Sequence, residues 1–134
     1  MILSQLLNPD SVSANIAAGA AYTIMYHRTD DGRQRDRAVN ALKRAVELAP
    51  EDPVVLAAYG TLLNELADYK GAYQALRQAV DRDPLSRLAQ AQLIIALEGL
   101  GRFAEAREKL LTLMKVYPEY LFAPSELGEL LVMQ

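Results

Sequence analysis

The apolar positions of this chain recur at two spacings at once. Locally they fall three and four residues apart, the spacing that gathers side chains on one face of an α-helix. Over longer range they recur every 34 residues. Ala38, Leu42, Ala45 and Pro50 are followed by Ala72, Leu76, Ala79 and Pro84, and then by Ala106, Leu110, Leu113 and Pro118. Three of these columns are identical, the fourth is apolar throughout, and no gap is needed. A fixed period of this size marks a repeat array, in which no single repeat can bury its own apolar face.

The breaks between periodic stretches predict helices in pairs. Ile2, Leu3, Leu6 and Leu7 predict a short helix that Asn8-Pro9 stops. A longer helix follows from Ser11 or Ser13 to about Arg28, with Ile16, Tyr22, Met25 and Tyr26 as its apolar side. The turn Thr29-Asp30-Asp31-Gly32 ends it, and a second helix runs from about Arg35 to Leu48. Asp52-Pro53 opens the next pair, over residues 54–66 and 69–81, and Ser86 caps a third, over residues 88–100 and 103–117. Pro124-Ser125 starts a last helix through Leu127, Leu130 and Leu131. The link Ala67-Asp68 is short enough to require antiparallel neighbours. Gly60 sits mid-helix, at a cost of roughly 1 kcal/mol against alanine, and the expected compensation is close approach of the partner helix at Ala72.

The predicted architecture is an all-α solenoid forming a single domain over residues 1–134. An N-terminal segment (1–18) precedes three helix-turn-helix units (19–52, 53–86 and 87–120) and a capping helix (121–134). Gly128 lies 68 residues after Gly60, twice the period, which places the last helix in the first-helix slot of an incomplete fourth unit.

A 34-residue helix-turn-helix unit with a small residue in its first helix, alanine and a larger apolar residue in its second, and a closing proline resembles the tetratricopeptide repeat (TPR). The match is best in residues 53–86, through Leu56, Gly60, Leu63, Tyr69, Ala72, Leu76, Ala79 and Pro84. The third unit matches through Leu97, Phe103, Ala106, Leu110 and Pro118, and departs at Gln90 and Ile94. The first matches through Tyr22, Ala38, Leu42, Ala45 and Pro50. It departs with Tyr26 at the small position and Arg35 where an aromatic usually packs. The resemblance implies a curved array with first helices inside and second helices outside, acting as a protein–protein interaction scaffold or adaptor.

Composition narrows the function classes. About half of the 134 residues are apolar and 23% are charged, a globular balance. A net charge of -3 and a pI near 5.1 give no global attraction for nucleic acid or an anionic membrane, so neither is expected as a partner. The longest weakly polar run, residues 12–26, is too short to span a bilayer, so no membrane insertion is expected. The N-terminus has no basic residue ahead of its apolar part, as a secretory signal would. A cytoplasmic location is the expectation, with the periplasm or a soluble fragment of a larger protein as alternatives. Cysteine is absent, which removes thiolate chemistry and disulfides.

Catalytic constellations are missing as well. His27 is the only histidine and has no companions at metal-ligand spacing. Gly99-Leu100-Gly101 follows no strand and reads as a turn, not a phosphate loop. Asp81-Arg82-Asp83 lacks the glycine and glutamate of a calcium loop. No enzyme activity, metal or cofactor is expected. The cations Arg28, Arg33, Arg35, Arg37, Lys43 and Arg44 are interleaved with Asp30, Asp31, Asp36 and Glu47, and read as a solvated face in preference to an anion site.

Projection onto the repeat gives a candidate partner-binding groove. Unit one offers Thr23, Ile24 and His27. Unit two offers Val54, Ala57, Ala58, Thr61, Asn64 and Glu65. Unit three offers Leu88, Ala91, Gln92, Ile95 and Glu98. Some family members grip a peptide carboxylate with Lys, Asn and Arg. The corresponding positions here look like Thr23, His27, Ala58, Leu88 and Gln92, so that ligand is not expected. The groove is expected to take an apolar extended segment or helix of another protein, with Asn64 and Gln92 bonding its backbone and Glu65 and Glu98 favouring a basic residue. The alternative is a homo-oligomeric assembly scaffold, a homodimer at its simplest, joined through terminal helices that carry Val132 and Met133.

Overall fold

A computed structural model of the chain describes residues 11–117. Among them are six α-helices: α1 (Val12–Thr29), α2 (Gly32–Leu48), α3 (Pro53–Glu65), α4 (Tyr69–Arg82), α5 (Arg87–Gly99) and α6 (Phe103–Val116). They pair as unit one (α1, α2), unit two (α3, α4) and unit three (α5, α6). The predicted N-terminal and terminal helices lie outside the described residues.

Short polar side chains start five of the helices by accepting an otherwise unbonded backbone N–H. Ser11 accepts from Ala14 (3.1 Å), Asp31 from Arg33 (2.9 Å), Asp52 from Val54 (2.9 Å), Asp68 from Gly71 (3.1 Å) and Ser86 from Ala89 (3.2 Å). The turns inside units two and three are the same turn one period apart. Ala67 and Gly101 occupy the left-handed region (φ 63° and 78°), and their N–H groups bond the Asn64 and Glu98 carbonyls, each at 3.0 Å.

The core is a column of fully buried leucines from facing helices, Leu63, Leu76, Leu97 and Leu110, with Ala72, Ala96 and Ala106 between them. Gly60 is needed here, but its neighbour differs from the expected one. A Cβ at Gly60 would lie 2.4 Å from Leu76 Cγ, so the glycine receives Leu76, not Ala72.

Unit one departs from the gapless period. A Cβ at Gly19 would lie 2.8 Å from Leu42 Cγ, which gives Gly19 the role of Gly60 and takes it from Tyr26. Leu42 and Leu76 are 34 residues apart, but Gly19 and Gly60 are 41 apart. The seven extra residues lengthen the hairpin. α1 continues ten residues past Gly19 where α3 continues five past Gly60, and α2 begins ten before Leu42 where α4 begins seven before Leu76. The link between the helices is one residue shorter. Seven residues are close to two helical turns, so the lengthened helices return to the same face. The turn is also made differently from the prediction. Asp30 takes the left-handed conformation (φ 53°), Asp31 caps, and Gly32 is already the first residue of α2.

First helices touch one another across units, α1 with α3 and α3 with α5, while no comparable contact joins α2 to α4 or α4 to α6 among the described residues. The first helices therefore stand on the inside of the curve, and the second helices splay outside.

Candidate concave site

The inner helices are almost free of charge. Across α1, α3 and α5 the Asp, Glu, Lys and Arg residues are Arg28, Glu65, Arg87 and Glu98, whereas each of α2, α4 and α6 carries at least four. On the outer side, Arg33 pairs with Asp31 at 3.1 Å, Arg44 with Glu47 at 3.6 Å and Arg102 with Glu105 at 2.8 Å. The Arg33 guanidinium and its backbone N–H hold the Asp31 carboxyl below its usual range. On α3, burial raises the Tyr59 phenol, with the Asp68 charge adding to the effect.

Exposed aliphatic side chains interrupt this neutral surface. Val54 is 70% exposed and Leu88, one period on, 54%; Ile24 on α1 is also exposed. Ala58, Thr61, Gln92, Ile95 and Glu98 are half-buried between these ridges, and Glu65 is exposed. Thr23, by contrast, is buried, and its hydroxyl donates to the Gly19 carbonyl at 2.8 Å. His27 is exposed on the extra turns of unit one, its ring 5.6 Å from that of Tyr26. The Thr61 hydroxyl donates to Ala57 at 2.7 Å.

Asn64 and Gln92 are brought together. The Asn64 Nδ2 donates to the Gln92 backbone carbonyl at 2.9 Å and to Gln92 Oε1 at 3.0 Å, joining the first helices of units two and three. Asn64 is only 8% exposed, and its Oδ1 is buried without a partner. The two amides that were expected to meet a ligand backbone thus also meet each other, and Gln92 remains the more accessible of the pair. Among the described residues no group of three or more His, Cys, Asp or Glu is placed to hold a metal ion, and no helix is long and apolar enough to cross a membrane.

A separate pocket of about 410 Å3 lies at the outer end of unit three, against α6 and the α4–α5 link. Nothing in the local sequence marks it. Beside it the Tyr117 hydroxyl donates to the Leu85 carbonyl at 2.6 Å, and the Arg87 guanidinium lies 5.3 Å from the Tyr117 ring centre.

This geometry is that of a tetratricopeptide-type solenoid, and solved structures agree. The second TPR domain of human RPAP3, in complex with the HSP70 peptide SGPTIEEVD, is similar over 90% of this chain and 98% of its own (TM-score 0.67, 18% identity). TTC0263, a thermophilic TPR protein of Thermus thermophilus, is similar over 96% of this chain and 68% of its own (TM-score 0.79, 19% identity). The Arabidopsis OM64 TPR domain is similar over 90% and 99% (TM-score 0.67, 21% identity). No protein-family model and no curated protein matches the chain in sequence.

Proposed function

We propose that the chain is a protein-interaction scaffold whose concave face holds an apolar, non-acidic segment of another protein. The observation that carries this is the exposure of Val54 and Leu88 on inner helices that bear almost no charge. Each Å2 of apolar surface removed from water contributes about 25 cal/mol, so these ridges favour an apolar occupant. A neutral wall offers no counter-charge to a buried carboxylate, which disfavours an acidic segment. The RPAP3 domain holds a peptide with two glutamates and a terminal aspartate, and the concave face here has no lysine to match such a ligand. Gln92, its side-chain oxygen held by Asn64, can donate its Nε2 hydrogens to a backbone carbonyl of the segment. Glu65 at the rim favours a basic residue at that end.

The test uses peptides selected from a random display library on the immobilised protein, measured by fluorescence anisotropy. Neutral apolar peptides are expected to bind. Val54→Glu with Leu88→Glu is expected to weaken them at least tenfold with the melting temperature unchanged. Unaltered binding, or selection of acidic peptides, overturns the proposal.

A further inference from the structure

The inner faces of the three units share one profile once the lengthened hairpin is allowed for. Gly19 and Gly60 each receive a leucine of the second helix and are equivalent. In that register Ser13 and Ile24 on α1, Val54 and Glu65 on α3, and Leu88 and Gly99 on α5 are matching pairs, each eleven residues apart. Eleven residues are close to three helical turns, so both members of a pair stand on the same face. All six residues are exposed. Four and seven residues after the first member of each pair come Ala17 and Ala20, Ala58 and Thr61, and Gln92 and Ile95, all of them half-buried. The concave face is therefore a trough, with Val54 and Leu88 on one side and Ile24 and Glu65 on the other. At 1.5 Å of rise per residue its two sides are about 16 Å apart.

We propose that the occupant of this trough is an amphipathic α-helix of the partner protein, about three turns long; this rests on the concave reading above. Width supports a helix, which with its side chains is about 10–12 Å across. A single extended strand takes up about 5 Å and leaves most of the floor uncovered. The chemistry of the backbone agrees. The N–H and C=O groups of a strand point sideways across the trough. Either water stays to bond them, and the apolar surfaces remain wet, or water leaves and they are buried without partners. The floor offers few substitutes. The Thr61 hydroxyl already donates to Ala57 at 2.7 Å, and the Gln92 side-chain oxygen already accepts from Asn64 at 3.0 Å. A helix bonds its own backbone and needs only an apolar face. Aliphatic residues on that face meet Val54 (70% exposed), Leu88 (54%) and Ile24 (52%). The Gln92 Nε2 hydrogens are left as donors. A helix has free carbonyls only in its last turn, so Gln92 places that turn at unit three and the first turn at unit one. Inner helices about 8–10 Å apart set the two ends roughly 16–20 Å from each other, the length of about 11–13 helical residues.

The test uses the full chain and a neutral apolar peptide selected on it, labelled with 13C and 15N. The expected result is a run of at least ten consecutive peptide residues whose Cα shifts turn helical on binding. Proline at the centre of that run should weaken binding at least tenfold, since it removes a helical hydrogen bond and clashes with the preceding turn. On the protein, Ala20→Leu and Ala58→Leu each fill the floor and should weaken the peptide at least fivefold with the melting temperature unchanged. The chain has no cysteine, so a nitroxide on a peptide cysteine reports direction alone. At the C-terminal end of the peptide it should broaden the amides around Gln92, and at the N-terminal end those around Ala20. Extended or hairpin shifts in the bound peptide, or tolerance of the central proline, overturn the helix and leave the apolar scaffold standing. The reverse broadening pattern overturns the placement of its last turn. Peptides whose binding ignores Val54→Glu with Leu88→Glu overturn both readings together.

Discussion

The Asn64 side chain grips Gln92 twice, at its backbone carbonyl (2.9 Å) and at its side-chain oxygen (3.0 Å), across the boundary between two units. Only the second bond depends on the Gln92 side chain. Asn64→Ala is therefore expected to cost about 1–2 kcal/mol and Gln92→Ala less, since a protein hydrogen bond contributes about 1 kcal/mol net. The double variant should cost less than the sum of the two. Urea unfolding of the three variants checks this. Equal losses at both positions would contradict the geometry.

Gly60 and Gly32 are both helical glycines with opposite surroundings. A Cβ at Gly60 would overlap Leu76, whereas nothing lies within 4 Å of one at Gly32. Gly60→Ala is expected to destabilise by about 1–3 kcal/mol, the usual cost of overpacking a core. Gly32→Ala should stabilise by about 0.4–1 kcal/mol by restricting the unfolded chain. Thermal melts of the two variants should move in opposite directions.

Ala67 holds the left-handed conformation that Gly101 holds one period later. An L-residue with a Cβ pays about 1–2 kcal/mol there, partly recovered through its smaller unfolded-state entropy. Ala67→Gly is expected to raise stability by about 0.5–1 kcal/mol, and Gly101→Ala to lower it by a similar amount. Chemical denaturation reads both, and a destabilised Ala67→Gly would be inconsistent with this turn.

The extra turns of unit one are an insertion in register. Replacing residues 25–34 by Leu-Ala-Asp, the link used in unit two, should give a hairpin of the length of α3–α4. The shortened chain is expected to unfold in one cooperative transition, with helical circular dichroism reduced by about the residues removed. Loss of cooperativity would mean that the extra turns support the core.

The second helices were legible because their inner positions repeat without a gap, as Ala38, Ala72 and Ala106 do, and all three are fully buried. The lengthened first hairpin was not. Tyr22, Met25 and Tyr26 continue a helical pattern compatible with a strict 34-residue period, and Gly19 lies among alanines that give no contrasting signal. The candidate groove was visible as residue types but not as contacts. Whether Asn64 reaches Gln92 or a ligand depends on how closely curvature brings α3 to α5, and that is a property of packing between units. The pocket depends on the same packing, because its walls come from the α4–α5 link and from α6.

Chemical-shift mapping of the 15N-labelled protein against a selected neutral apolar peptide tests concave binding most directly. Perturbed amides are expected to cluster on α1, α3 and α5 around Ile24, Val54, Leu88 and Gln92, and to vanish in Val54→Glu with Leu88→Glu. Shifts confined to α2, α4 and α6, or unchanged by that double substitution, would contradict it.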